Sequence, residues 1–210
     1  MIELELKYKI STLPSSFKKL KIVKEKDQKD IYYDTPNYDL IRTGNFLRIR
    51  NNNRLEFKLF AGDTSHLFCR ETDFDLDKIN DNSSQINEIL CSLSLNSEKF
   101  LTDFKQIIEL NDLTVLAPII KHRVTYQFDD ISTISIDEVE GLGLFMEAEI
   151  MVDEEKISIA KANKIKKQFI DKLTDSKILG GSEESVKIGY VELYLLNNNK
   201  KAYDLGMFKG

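Results

Sequence analysis

Tryptophan is absent from this chain, and cysteine and histidine occur only twice each. Cys69 and Cys91 are far apart and form no CxxC or zinc-type spacing, so they read as free thiols of a reducing compartment and not as a disulfide framework. His66 and His122 are too few and too separated for a histidine metal centre. Lys and Arg number 30 against 35 Asp and Glu, a net charge of −5 with a pI near 5.3. That balance lacks the basic footprint of general nucleic-acid binding. No apolar run approaches the ~20 residues of a membrane helix, and the opening Met-Ile-Glu-Leu-Glu has neither the basic nor the apolar region of a secretory leader. The expectation is a cytoplasmic protein with no nucleic-acid and no membrane partner. G-x-x-x-x-G-K-[ST], H-E-x-x-H and G-x-S-x-G are also missing, and Gly141 and Gly143 lack the G-x-G-x-x-G context of a dinucleotide loop.

What is present suffices for one domain over 1–210. Apolar residues make up 41% of the chain, enough for a real core, and no repeat or long linker divides it. The first strand is 2–10, where Glu3, Glu5 and Lys7 alternate with Ile2, Leu4, Leu6 and Tyr8. Period-two alternation reads as a strand. The same pattern recurs in FLRIR (46–50), RLEFKLF (54–60), IIKHRVTY (119–126), STISID (132–137) and FMEAEIMV (145–152). Short strands are expected at 31–34 and 65–74, and a last one at 186–196 with Lys187 near its start. A short helix is expected from Ser15 or Ser16 through Phe17, Leu20 and Ile22. Helical spacing marks Ile86, Ile89, Leu90 and Leu93, then Phe100, Leu101, Phe104, Ile107 and Ile108, and finally 154–174 with Ile165, Phe169 and Leu173. Thr35-Pro36-Asn37 reads as a turn, with Asp34 capping backbone amides.

A single charged strand face is ordinary, because antiparallel sheets commonly solvate one side. Here the charged side is unusually pure across many strands: Glu3, Glu5, Lys7, Arg48, Arg50, Glu56, Lys58, Lys121, Arg123, Asp137, Glu147 and Glu149. The opposite side is bulky, with Leu4, Leu6, Phe46, Leu47, Ile49, Leu55, Phe57, Leu59, Met146 and Ile150. A sheet closed on itself would put the charges inside and leave the apolar side to be covered by helices. Arginine and lysine suit phosphate oxygens, and clustered carboxylates suit hard cations such as Mg²⁺ or Mn²⁺. A metal-bearing polyphosphate would satisfy both.

In sequence order, ELELK (3–7), YYDTP (32–36), LRIR (47–50), EFK (56–58), KHR (121–123), Asp137 and GLGLFMEAE (141–149) resemble the CYTH superfamily, the triphosphate tunnel metalloenzymes. The resemblance implies an α+β fold in which an eight-stranded closed antiparallel β-barrel forms a charged tunnel with helices packed outside. It implies metal ligands at Glu3, Glu5, Asp137, Glu147 and Glu149, with Mg²⁺ or Mn²⁺ as cofactor. It implies phosphate contacts from Lys7, Arg48, Arg50, Lys58, Lys121 and Arg123. The stretches at 55–74 and 186–206 look like thiamine triphosphatases, where a lysine precedes the last strand as Lys187 does and the residue aligned with Lys58 is a proposed general base. The Gly-Leu-Gly-Leu-Phe run departs from animal thiamine triphosphatase.

The expected reaction is metal-dependent hydrolysis of the terminal phosphoryl group of a small-molecule triphosphate by a monomer or homodimer. A class IV adenylyl cyclase and a non-catalytic polyphosphate-binding module are the alternatives. The first is disfavoured because a His-Phe element ahead of E-x-E-x-K is missing. Lys58 as a base requires a lowered pKa, which Arg48 and Arg50 favour and Glu56 opposes.

Overall fold

A computed structural model describes the backbone of residues 2–60, 69–153, 157–181 and 183–207, with side chains for all of these except 2, 3, 69 and 70. Nine strands and six α-helices follow in the order β1 (Ile2–Ile10), β2 (Lys21–Asp34), α1 (Asp39–Arg42), β3 (Phe46–Arg50), β4 (Arg54–Phe60), β5 (Cys69–Asp75), α2 (Ser83–Ser92), α3 (Phe104–Leu110), β6 (Thr114–Asp129), β7 (Ser132–Val139), β8 (Gly143–Val152), α4 (Ile159–Asp175), β9 (Glu184–Val186), α5 (Tyr190–Asn198) and α6 (Lys200–Leu205). The strands form an antiparallel sheet in the order β5-β4-β3-β2-β6-β7-β8-β1-β9. The chain divides into two compact units, Met1–Asp27 with Lys121–Lys187, and Gln28–Ile120 with Ile188–Gly210.

In the first unit, β1 and β8 pair along their length, from Ile2 opposite Val152 to Ile10 opposite Leu144. Alternation then sorts the side chains. Tyr8, Met146 and Ala148, with Ile134 and Ile136 of β7, join a core completed by Phe17, Phe169, Leu173, Ile178 and Leu179. Helix α4 starts where Ser158 Oγ accepts the Lys161 amide at 3.2 Å, satisfying one of its unpaired first-turn donors. Its buried stripe is Ala162, Phe169 and Leu173, spaced seven and four residues apart as a helix face requires. Burying a phenylalanine of this kind contributes about 2–3 kcal/mol.

The second unit has its own core. Leu47, Ile49, Leu55, Phe57 and Phe74 of β3–β5 pack with Ile86 and Leu90 of α2, Ile107 of α3, and Ile79, Leu95 and Leu101. Asp103 caps α3 by accepting the Gln106 amide at 3.0 Å. Asp34, buried at the end of β2, accepts the amides of Thr35, Leu40 and Ile41. One carboxylate thus closes the Asp-Thr-Pro turn onto α1, as expected from the sequence. Burial raises its pKa despite those bonds.

Several expectations need correction. The sheet has nine strands and not eight, and among the described residues no pairing joins β5 to β9, so the ladder has two ends where a closed barrel was expected. The last expected strand, 186–196, is the three-residue β9 followed by helix α5. Near-continuous apolar residues from 190 to 196 carry no usable period, and Gly189 starts the helix with Glu192 folded back against it. Strand β2 begins at Lys21 and not at Ile31; from Lys24 to Asp30 it is polar on both sides, so alternation gives no sign of it. Ser15–Lys19 is only a 3-10 turn, and Ile22 lies in β2, 51% exposed. Phe100 is 67% exposed and precedes α3. Strand β6 contains Pro118 and does not start after it. The expected strand at 65–74 starts at Cys69; residues 65–68, with His66, lie outside the described residues. None of the described helices is long and apolar enough to cross a membrane.

Candidate functional site

The charged residues of the first unit converge because four neighbouring strands turn the same side toward each other. Lys7 of β1 is opposite Glu147 of β8, Glu5 is opposite Glu149, and Arg123 of β6 is opposite Asp137 of β7. Asp137 and Glu147 are buried, as is Lys121. Lys121 Nζ donates to Asp137 Oδ2 at 2.7 Å, and Arg123 donates to both Asp137 oxygens, at 2.6 Å from Nε and 2.5 Å from Nη2. Arg123 also pairs with Glu147, and its Nη1 lies 3.8 Å from Glu149. Lys7 Nζ sits 3.1 Å from Glu5 and 3.2 Å from Glu147.

Protonation follows from these contacts. Burial opposes the charged forms of Asp137 and Glu147, but Arg123 and Lys121 for the first, and Lys7 with Arg123 for the second, hold both carboxyls below their usual range. Burial also opposes the Lys7 ammonium, yet Glu5 and Glu147 outweigh it and raise its pKa. Lys121 differs: burial, helped by Arg123, wins over Glu147 and Asp137 and lowers its pKa.

Three cations, Lys7, Lys121 and Arg123, thus face four carboxylates, Glu5, Asp137, Glu147 and Glu149. The Glu5–Glu149 cross-strand pair is of like charge, an arrangement that costs stability unless offset. Among the described residues no three His, Cys, Asp or Glu side chains form a ready-made ion cage. The donors are nevertheless hard oxygens on one strand face, the kind Mg²⁺ and Mn²⁺ take, and Lys7 and Arg123 hold them now. The residues fit a divalent cation in chemistry and in excess charge. Glu3 lies on β1, but its side chain is outside the described residues. Lys187 is exposed just after β9, next to Val186, which pairs with Lys7.

In the second unit the charged side belongs to β2, β3 and β4. Arg48 lies between Tyr32 and Glu56 in the ladder, and Arg50 between Asp30 and Arg54. Arg50 forks onto Asp30, with Nε to Oδ1 at 2.8 Å and Nη2 to Oδ2 at 3.1 Å. Arg48 forks onto one oxygen of Glu56 and donates to the Tyr32 hydroxyl at 2.6 Å. The pKa of Asp30 is lowered: burial works against ionisation, and Arg50 and Arg48 outweigh it. Lys58 is half-exposed and sits 3.3 Å from Glu71. Phe46 shares the side of Arg48 and Arg50, edge-on to Tyr32 with ring centroids 6.1 Å apart, so it does not belong with the apolar side. Tyr33 faces the other way, against Phe104.

Sequence reasoning missed Asp30, Gln28 and the involvement of Tyr32. The pairing register would have found them: once β2 is extended, Gln28, Asp30 and Tyr32 alternate on the side of Arg48 and Arg50. Alternation puts Glu56 on the charged side but shows none of its arginine contacts. His122, on the other side of β6 from Lys121 and Arg123, contacts Asp27 at 2.8 Å and Glu25 at 3.3 Å.

The CYTH domain model matches residues 1–187. A protein of Methanocaldococcus jannaschii named as a candidate adenylate cyclase is 34% identical over 184 residues, covering 81% of this chain and 94% of that protein. A solved structure from Pyrococcus horikoshii superposes with a TM-score of 0.60 at 24% identity, covering 93% of this chain and 99% of that one. A candidate adenylyl cyclase from Hippeastrum, described as having a dominant triphosphatase activity, superposes with a TM-score of 0.59 at 17% identity, covering 94% and 96%.

Proposed function

The chain belongs to the CYTH family, and from that premise we propose that it hydrolyses the terminal phosphoryl group of a triphosphate with Mg²⁺ or Mn²⁺. The observation that carries the reading is the buried cluster in which Lys7, Lys121 and Arg123 are neutralised by Glu5, Asp137, Glu147 and Glu149. A merely solvated strand face would not bury Asp137 and Glu147, because unpaired buried charge is costly. The dominant triphosphatase activity of the Hippeastrum protein supports hydrolysis, with the weight of a shared fold.

In this reading Glu3, Glu5, Asp137, Glu147 and Glu149 hold the metal, which neutralises phosphate charge and activates water when bound. Lys7, Lys121 and Arg123 turn from their carboxylates to phosphate oxygens. Arg48 and Arg50 grip phosphoryl oxygens through their planar forks, and Lys187 adds a further contact. Water adds to the terminal phosphorus, the bond to the bridging oxygen breaks, and orthophosphate leaves. The proton of that water goes to a neutral Lys58, which must first give up its own proton and its pairing with Glu71, or to one of the site carboxylates. Most of the acceleration comes from positioning and charge stabilisation, as is general for phosphoryl transfer. The protein acts as a monomer or homodimer.

The test is a panel of inorganic, thiamine and nucleoside triphosphates assayed for orthophosphate release with Mg²⁺ or Mn²⁺. Orthophosphate from at least one of them is expected. Cyclic AMP with pyrophosphate from ATP, and no orthophosphate, would replace hydrolysis by cyclisation, the activity in the name of the Methanocaldococcus relative. Tight binding of tripolyphosphate without turnover would leave a binding module.

A further inference from the structure

Two carboxylates hold Arg48 and Arg50, and they are held differently themselves. The Asp30 side chain is 5% exposed and fixed from below, its Oδ2 accepting Gln28 Nε2 at 2.8 Å as well as Arg50 Nη2. Arg48 Nη1 reaches the same oxygen at 3.3 Å. The Glu56 side chain is 13% exposed, and its partners among the described residues are the two arginines alone. Its Oε2 accepts Arg48 Nε at 2.8 Å and lies 2.6 Å from Nη2, while Oε1 lies 3.2 Å from Arg50 Nη1. One anionic group with two oxygens therefore spans two guanidinium forks, the arrangement a phosphoryl group would take up there.

Building on the phosphate-binding role given above to Arg48 and Arg50, we propose that Glu56 is a built-in stand-in for a phosphoryl group. A triphosphate displaces it, whereas Asp30 stays in place and positions both arginines. The pair is then kept in order before substrate arrives, and two partly buried cations are never left unpaired. The device also sets a threshold. An incoming anion must out-compete a carboxylate already in the forks, so a densely charged chain such as tripolyphosphate gains entry and a single orthophosphate is turned away.

The two acids must then respond with opposite signs. Glu56→Gln removes the competitor and tightens metal-free tripolyphosphate binding on the order of tenfold, narrows the preference over orthophosphate, and lowers the thermal midpoint of the ligand-free protein. Asp30→Asn loosens the arginines and weakens the same binding by a similar factor. A purely structural role for Glu56 would lower stability and affinity together. Calorimetric titration of wild type, Glu56→Gln, Glu56→Thr and Asp30→Asn with tripolyphosphate and orthophosphate, in chelator, reads both quantities. Glutamine or threonine at 56 binding no tighter than wild type overturns the proposal, as does Asp30→Asn binding more tightly than wild type. Threonine answers the question if the glutamine variant does not fold. Loss of the hydrolytic reading appears separately, as wild-type protein that releases no orthophosphate from any triphosphate while the affinity shifts persist.

Discussion

The two charged clusters are built from the same kinds of residue and balanced differently. In the first unit Lys7, Lys121 and Arg123 face four carboxylates, with Asp137 fully buried. In the second, Arg48 and Arg50 face two, Asp30 and Glu56, with Tyr32 and Phe46 alongside. An excess of hard oxygen donors invites a cation. A balanced pair of planar forks around an exchangeable carboxylate invites an anion. The difference teaches that charge sign on a strand says less than which partners each charge already has.

The widest separation between the clusters should appear in metal dependence. Glu5→Gln combined with Glu149→Gln is expected to lower Mg²⁺- or Mn²⁺-dependent phosphate release by roughly two to three orders of magnitude, with metal-free tripolyphosphate binding retained. Equal loss of both would mean that these acids do not serve the cation. Stability comes next. Arg123→Met strips the shared partner from buried Asp137 and Glu147 and should cost about 3–5 kcal/mol in denaturant unfolding. Arg50→Met, whose side chain is 27% exposed, should cost about 1–2 kcal/mol. Similar values would erase the distinction in burial.

Within the first unit the two lysines offer a finer contrast. Lys121, with its lowered pKa, should lose its proton at lower pH than Lys7, whose pKa is raised; side-chain NMR titration orders them. The linked stabilities have opposite signs. Lys7 supports the fold below its unfolded pKa and loses that support as pH rises through its higher folded value. Protonated Lys121 opposes the fold, and the opposition fades as pH rises through the ordinary lysine range. Lys7 titrating first would refute this ordering. The smallest effect belongs to His122, whose pKa is raised by Asp27 and Glu25 against slight desolvation. Its contribution is present below the unfolded value and disappears as pH climbs past the folded one. Asp27→Asn should bring the imidazole titration down toward an ordinary histidine, and an unchanged midpoint would remove Asp27 as the cause.

Much of this was legible from alternation alone. Phe46–Arg50 and Arg54–Phe60 are strands with the limits read from the residues, because each has one apolar and one charged side. Lys7, Lys121, Arg123, Asp137, Glu147 and Glu149 meet for the same reason. The hidden part is where period fails. Asp30 sits in a polar stretch whose strand character comes from pairing with β3, and pairing is a long-range fact. Helix α5 is apolar on nearly every position, so only its Gly189 start distinguishes it from a strand. Glu56 could be assigned to the charged side, but its two-arginine grip depends on cross-strand distances.

The order in which the chain leaves the ribosome gives the β1–β8 register a further meaning. β1 is made well before β8, the strand it pairs with along its length, which spans Gly143–Val152. At ~5–20 residues per second, Ile2–Ile10 must wait on the order of ten seconds as an unpaired nascent segment. Meanwhile the stretch after it already contains β3, β4, α2 and α3, whose side chains make one apolar cluster. The alternating Glu and Lys of ELELK therefore guard the unpaired strand, since charged edges resist aggregation, until β8 arrives to pair with it.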